Sequence, residues 1–240
     1  MKIIFTPENK FVKDVYGLPK PAKKTLPEWY KNTDRHYQKD DKMSGLNLEN
    51  ANATNTTIKA CMPFFDAITS GYIWELPVDL ELRKINDDIS VKWRYGADGF
   101  IESHHREQFK EMPLPFPSKS PAVFKFKFEY KITTPKGYST LFTHPLNNHD
   151  LPFRTFSGIV DTDNYGLSVQ FPFQVHSDFE GHAIIPKGTP IIQFIPFKRD
   201  SWEHQVNDFN ELEHEKAKYG LFSRIQNSYK SQFWQRKSFN

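Results

Sequence analysis

The sequence predicts an all-β core, closed as a barrel or packed as a sandwich, with an extended amino-terminal arm and an α-helical carboxy-terminal extension. Three observations lead there. From Val123 to Tyr130, Phe124, Phe126, Phe128 and Tyr130 alternate with Lys125, Lys127 and Glu129, the period-two pattern of a strand with one buried and one wet face. Between Ile58 and Arg199, strand-like runs are separated by turns such as Pro135-Lys136-Gly137 and Pro186-Lys187-Gly188, and no dozen-residue helical period intervenes between most of them. The composition agrees: 22 Phe, 10 Tyr and 5 Trp in 240 residues supply bulky planar side chains that suit strands and fill a sheet-based core.

Residues 1–57 are expected to form an amino-terminal strand, a proline-rich arm and a polar loop. In GLPKPAKKTLPEWYKN each proline fixes its own φ and biases its predecessor away from helix, so this stretch reads as an extended arm anchored by Leu26 and Trp29, with a short turn at PEWYK. The Asn-, Asp- and Lys-rich stretch from Gln38 to Thr57 reads as a long surface loop. Residues 58–199 carry the core. Strands are expected in GYIWELPVDLELRKI, SVKWRYG, AVFKFKFEYKITT, YSTLFTH, GLSVQFPFQVH and TPIIQFIPFK, and Pro77, Pro172 and Pro196 within them predict edges, bends or bulges. Residues 200–240 change register. WEHQVNDFNELEHEKAKYG reads as a helix stopped near Gly220; beyond it Leu221, Ile225, Tyr229 and Phe233 recur every four residues, predicting a second helix with one apolar face.

Several function classes lose ground on motif and composition. A single cysteine, Cys61, allows no intrachain disulfide and points to a reducing compartment. The opening MKIIFTPENKF is too short an apolar stretch for a signal peptide, and no run approaches the roughly 20 apolar residues of a membrane span. There is no GxSxG, glycine-rich phosphate loop, dinucleotide fingerprint or HExxH. The net charge of +3 is too mild to require a polyanionic partner, and nucleic acid is disfavoured.

What remains is a small set of candidate side chains. His144 and His149 flank a loop-like PLNN, and His176 and His182 flank a turn; any three could converge in a β fold and leave a coordination position open, which makes them the weak candidates for a divalent metal. No cofactor is otherwise called for. Asp161 and Asp163 lie near a turn between two apolar strands, two positions apart. They could bind a cation, orient water or accept backbone N–H groups in an Asx-turn. Lys187 and Gly188 form a tight connection before a buried strand.

The stretch GIVDTDNYG, Gly158 to Gly166, resembles the glycine, two hydrophobics, Asp, x, Asp, Tyr, x, Gly stretch of trimeric dUTPases. KGTPIIQFIPF is similar to a strand shared by dUTPases and dCTP deaminases, and LPVDLELR to the turn-plus-strand rhythm of their β-clip fold. The resemblance implies a β-clip core, with Asp161 as the base positioning the catalytic water and Tyr165 stacking on the deoxyribose; Asp163 is the second candidate catalytic carboxylate, and Lys187 a further candidate ligand contact. This chain departs from the pattern: an Asn is inserted before Tyr165, and the glycine-rich carboxy-terminal phosphate-binding arm is replaced by a Phe-, Lys- and Arg-rich end. A broader likeness joins PKPAKKTLPEWYKN, CMPFFDAITSGYIWELPVDLEL, KGYSTLFTHPLNNHDLPFRTFSGIVDTDNYG and KGTPIIQFIPFKR to an uncharacterised family encoded by tailed phages and some bacteria. It implies a phage-associated protein in the host cytoplasm or the virion, with other phage proteins as partners. Self-association is expected through Trp29, Leu221, Ile225, Tyr229 and Phe233, apolar anchors that are costly to leave in water. The function expected is structural or binding and non-catalytic; the alternative is a nucleotide- or metal-dependent enzyme using a pocket near Asp161.

Overall fold

The structure, a computed structural model, describes residues 1–36, 56–86, 88–93, 99–113, 123–222 and 228–240. They fall into two compact units: Met1–Thr25 and Ser70–Arg199 with Phe239, and Leu26–Thr69 and Asp200–Ser238 with Asn240.

The first unit is built from strands β1 (Ile4–Pro7), β2 (Lys20–Pro21), β3 (Tyr72–Glu75), β4 (Leu80–Ile85), β5 (Asp88–Trp93), β6 (Ile101–Ser103), β7 (Val123–Thr133), β8 (Tyr138–Thr143), β9 (Phe153–Thr155), β10 (Gly158–Val160), β11 (Ser168–Val175), β12 (His182–Ile185) and β13 (Pro190–Lys198), with a short helix α1 (Val12–Tyr16). The first sheet runs β1-β7-β11-β9, with β6 also on β7; the second runs β10-β8-β13-β3-β2; the third is β12-β4-β5. The pairings are antiparallel, as short connections permit.

The alternation in β7 does what its pattern predicts. Phe126, Phe128, Tyr130 and Ile132 are buried, while Lys125 and Lys127 leave by the other face and reach Glu102 of β6 at 3.0 and 3.4 Å. Phe124 is half-buried, tilted against Phe173 at 5.6 Å. Contacts between the two larger sheets make a sandwich: Trp74 of β3 meets Phe128 edge-on at 4.8 Å, Phe194 of β13 lies 5.2 Å from Phe128, and Phe142 of β8 lies 5.4 Å from Phe171 of β11. Edge-to-face and offset geometries of this kind add to the burial each ring contributes. Among the described residues the three sheets are open, so the core takes the sandwich-like form of the expected fold rather than a closed barrel.

One glycine is imposed by packing. Gly71, just before β3, has φ +71°, and a Cβ there would sit 1.8 Å from the Phe194 carbonyl oxygen. Two of the strand prolines find tolerant positions. The Pro172 carbonyl accepts the Phe156 N–H at 2.8 Å, one step past the end of β9, and at Pro196 the pairing of β13 with β3 has already ended at Phe194. Pro77 falls in the break between β3 and β4.

The second unit holds helices α2 (Glu28–Asn32), α3 (Met62–Thr69), α4 (Glu211–Phe222) and α5 (Ser228–Gln232). Here the expectations need correction. The PEWYK turn is a short helix, and its buried anchor is Tyr30, whose ring packs on Phe64 and Phe65 at 6.0 and 6.3 Å; Trp29 stays at the surface, edge-on to Phe64. MPFFDAIT, which precedes the first strand expected in residues 58–199, is an eight-residue helix. The long helix expected from Trp202 begins only at Glu211. Asn210 caps it: its Oδ1 accepts the Glu213 N–H at 3.2 Å, and its carbonyl accepts the His214 N–H at 3.0 Å. Gly220 lies inside this helix rather than ending it. Near the end of the chain, Trp234 Nε1 and Lys237 Nζ donate to the Asp66 carboxylate of α3 at 2.9 and 2.6 Å. Most of the polar loop, residues 37–55, and Ile225 lie outside the described residues, as does the Leu221 side chain. No helix among the described residues is long and apolar enough to cross a membrane.

Candidate functional site

Strand β8 pairs with β13 from Tyr138 opposite Lys198 to Thr143 opposite Gln193, and with β10 on its other edge. Asp161, Asp163 and Tyr165 gather at one of its ends, and His144, His149 and His176 at the other.

At the Tyr138 end, the turn after β10 carries the chain from the second sheet to the first. Thr162 points inward, and its hydroxyl meets those of Thr134 and Thr140 at 2.8 and 2.9 Å. Asp161 and Asp163 flank it and both reach Arg199, the residue after β13. Asp163 takes both arms of the guanidinium, Nη1 at 2.9 Å, and also accepts the Gly137 N–H at 2.7 Å; its side chain is 6% exposed. Arg199 first, and then the Gly137 N–H, lower its pKa from 3.8 to about 2. Asp161, 65% exposed, accepts the Ser139 hydroxyl at 2.6 Å and lies 3.1 Å from Arg199 Nη1. Its carbonyl accepts the N–H groups of Asn164 and Tyr165, closing the turn. Tyr165 is exposed beside them. Lys187 is elsewhere: its N–H donates to Asp79 at 2.8 Å in the turn before β13. The nine-residue β13 separates it from Arg199 by about 30 Å at strand rise.

At the Thr143 end, a cavity of about 150 Å³ opens against the turn Pro145–Asn148. His144 forms its base with both ring nitrogens engaged: Nε2 lies 3.1 Å from the Asn148 carbonyl, and Nδ1 accepts the Thr155 N–H at 3.2 Å. These partners select the neutral Nε2–H tautomer. Burial, with Arg154, His149 and His176 nearby, brings its pKa from 6.5 to about 4 despite the opposing Asn148 bond. Asn147, at φ +59°, completes the turn, and the buried Gln193 of β13 accepts the Leu146 N–H at 2.9 Å while donating to the Ser70 carbonyl at 2.7 Å. His149 and His176 line the same cavity. Burial lowers the pKa of His176, with Asp178 at 3.7 Å opposing it and Arg154 reinforcing it. The pairing of Val175 with Phe153 places His176 here, and its N–H donates to the Pro152 carbonyl at 2.9 Å. His182 does not join them; on β12 its Nε2 meets Glu81 at 3.0 Å. Among the described residues, no group of three or more His, Cys, Asp or Glu side chains is placed to hold a metal ion.

The expected apolar anchors of the second unit are in part exposed: Tyr229 and Phe233 lie at the surface with rings 6.4 Å apart. Sequence reasoning did not single out Arg199, Ser139, Arg154 or Gln193. Arg154 had one local signal, a charged residue between Phe153 and Thr155 in a strand-length run. The others acquire meaning only through pairing.

No protein-family profile matches this chain, and no curated protein matches it. A solved structure of the native EIAV dUTPase aligns with 55% of this chain and 98% of its own at 14% identity and a TM-score of 0.29, a likeness too slight to carry an argument about fold or activity.

Proposed function

We propose that this chain is a non-catalytic, β-rich binding protein that assembles with copies of itself, consistent with the virion-associated or structural role its resemblance to tailed-phage proteins implies. The observation that carries this reading is a row of large apolar side chains in water: Trp202 and Val206 are each 89% exposed, and Phe209, Leu212 and Tyr219 are exposed as well. Such a row is costly in an isolated chain. The same segment is acidic. Asp200, Glu203, Asp208, Glu211, Glu213 and Glu215 carry charge with no Lys or Arg among residues 200–215, whereas the arm offers exposed Lys23 and Lys24, beside Lys20 and Lys31, which pair with Glu75 and Glu28. The segment of one copy and the arm of another are therefore complementary in charge, and a second copy is the partner we assign to it. The engagement of both Asp161 and Asp163 by Arg199, Ser139 and Gly137 supports a structural rather than catalytic role for that turn.

Light scattering of the full chain at micromolar concentration tests the assembly. The wild type is expected to be oligomeric and a Trp202→Ser, Phe209→Ser double variant monomeric; a monomeric wild type overturns the reading. Nucleotide turnover with magnesium, manganese and zinc supplied separately tests the non-catalytic part. Hydrolysis of dUTP or deamination of dCTP that survives purification and vanishes in Asp161→Asn would make Asp161 a catalytic base.

A further inference from the structure

We infer that the cavity at the Thr143 end of β8 is a binding site for a tetrahedral oxyanion, a phosphate or the phosphoryl group of a small molecule, held by Arg154 with His149 and His176. The lining contains a guanidinium and three imidazoles and, among the described residues, no carboxylate; the exposed Asp178 lies outside it, 3.7 Å from His176 Nδ1. Arg154, exposed on β9 between the buried Phe153 and Thr155, lines the cavity together with Phe153. It has no carboxylate partner among the described residues, in contrast to Arg199. Its charge reaches both His144 and His176. An always-ionised, planar fork among ring N–H groups presents donors and positive potential to whatever enters.

Three separate segments contribute: the turn after β8, strand β9 and the residue following β11. Donors from three segments can meet the several oxygens of a tetrahedral anion. Size limits the ligand further. A volume of about 150 Å³ has room for one phosphoryl group and lies below the ~300–1,000 Å³ of a site that swallows a nucleotide whole. Leu151 and Phe153 give one wall an apolar character, where the attached part of a phosphomonoester would lie. His144 is the fixed floor, since both its nitrogens already bind the chain; it positions the turn that carries His149 and is not itself a ligand contact.

The test is titration of the full-length protein, in EDTA throughout, with inorganic phosphate, phenyl phosphate and acetate, read by calorimetry and by the imidazole proton resonances. Saturable one-to-one binding of phosphate is expected, with shifts confined to the histidines of the cavity. Tighter binding of phenyl phosphate identifies a phosphomonoester as the ligand class, and tighter binding of inorganic phosphate identifies the free ion. Arg154→Met should weaken binding at least tenfold, and Lys110→Met, an equal charge change elsewhere, should leave it unchanged. If the circular dichroism of Arg154→Met shows an unfolded chain, His176→Gln gives the same reading, with a several-fold loss. Absence of saturable binding at tens of millimolar phosphate, equal affinity in the variants, or acetate binding as tightly as phosphate overturns the assignment.

Discussion

The two ends of β8 differ in how their charges are answered. At the Tyr138 end the guanidinium and both carboxylates meet complements within the chain: Arg199 with Asp163 and Asp161, Asp163 also with the Gly137 N–H, Asp161 also with Ser139. At the Thr143 end the answer is partial: the floor is satisfied, and His176 has Asp178 at 3.7 Å. His144 is satisfied on both nitrogens, while Arg154 lines the same cavity without an acid partner among the described residues. A saturated cluster ties strand ends and a turn together and has little left to offer a ligand; a cluster with donors in excess has positive potential still to be neutralised. Residue type alone does not separate the two cases. An Asp-x-Asp turn beside a tyrosine looks more like chemistry than an arginine among histidines, and here the partners reverse that impression.

The comparison can be broken from the core outward. Phe194 lies between the two ends, buried on β13 against Phe128, Phe142 and Phe171. Phe194→Ala should cost about 3–5 kcal/mol in urea unfolding and weaken both ends together. Amide exchange that opens at one end alone would show that the ends do not share β13 as their support.

The second prediction uses pH at the His144 end. Its folded pKa of about 4 lies below the ordinary 6.5, so the unfolded chain binds the proton more readily. Stability is therefore full above pH 6.5 and is lost as pH falls from 6.5 through 4, by on the order of 3 kcal/mol. His144→Gln keeps a donor and an acceptor without a titrating nitrogen and should remove most of that slope. An unchanged slope in the variant would mean that His144 is not the group responsible.

The smallest effect belongs to the Asp161–Asp163 turn. Asp163, held down to about 2 from 3.8, contributes stability above pH 3.8 that disappears as pH falls through 3.8 toward 2, a window below that of His144. Asp163→Asn should flatten the acid limb there and lower Tm more than Asp161→Asn, whose carboxylate is mostly in water. Equal effects of the two substitutions would contradict the asymmetry seen at Arg199.

Much of this was readable before any coordinates. The alternation from Val123 to Tyr130 fixed which face of β7 is buried, because successive strand side chains must point to opposite sides. Asp161 and Asp163 lie in the turn where the sequence put them, with Thr162 turned inward between them. The turns at Gly137 and Gly188 fall where their composition put them. Helix limits were less legible: Asn210 competes for the backbone where the apolar rhythm from Trp202 reads as continuous helix, and the short α3 leaves almost no period to detect.

The sequence by itself determined the local pattern: strands, turns, the aromatic face of the core, and an acidic apolar segment in the carboxy-terminal region. The tertiary structure alone decided what each polar side chain is for. Arg199 reaches Asp163 across thirty-six positions because β8 pairs with β13, and Arg154 and His176 share a cavity because β9 pairs with β11. The physical reason is one of range. Steric and side-chain alternation act between neighbours in the chain, whereas an electrostatic partner is chosen by distance in space, which exists only once strand pairing has closed the long loops between them.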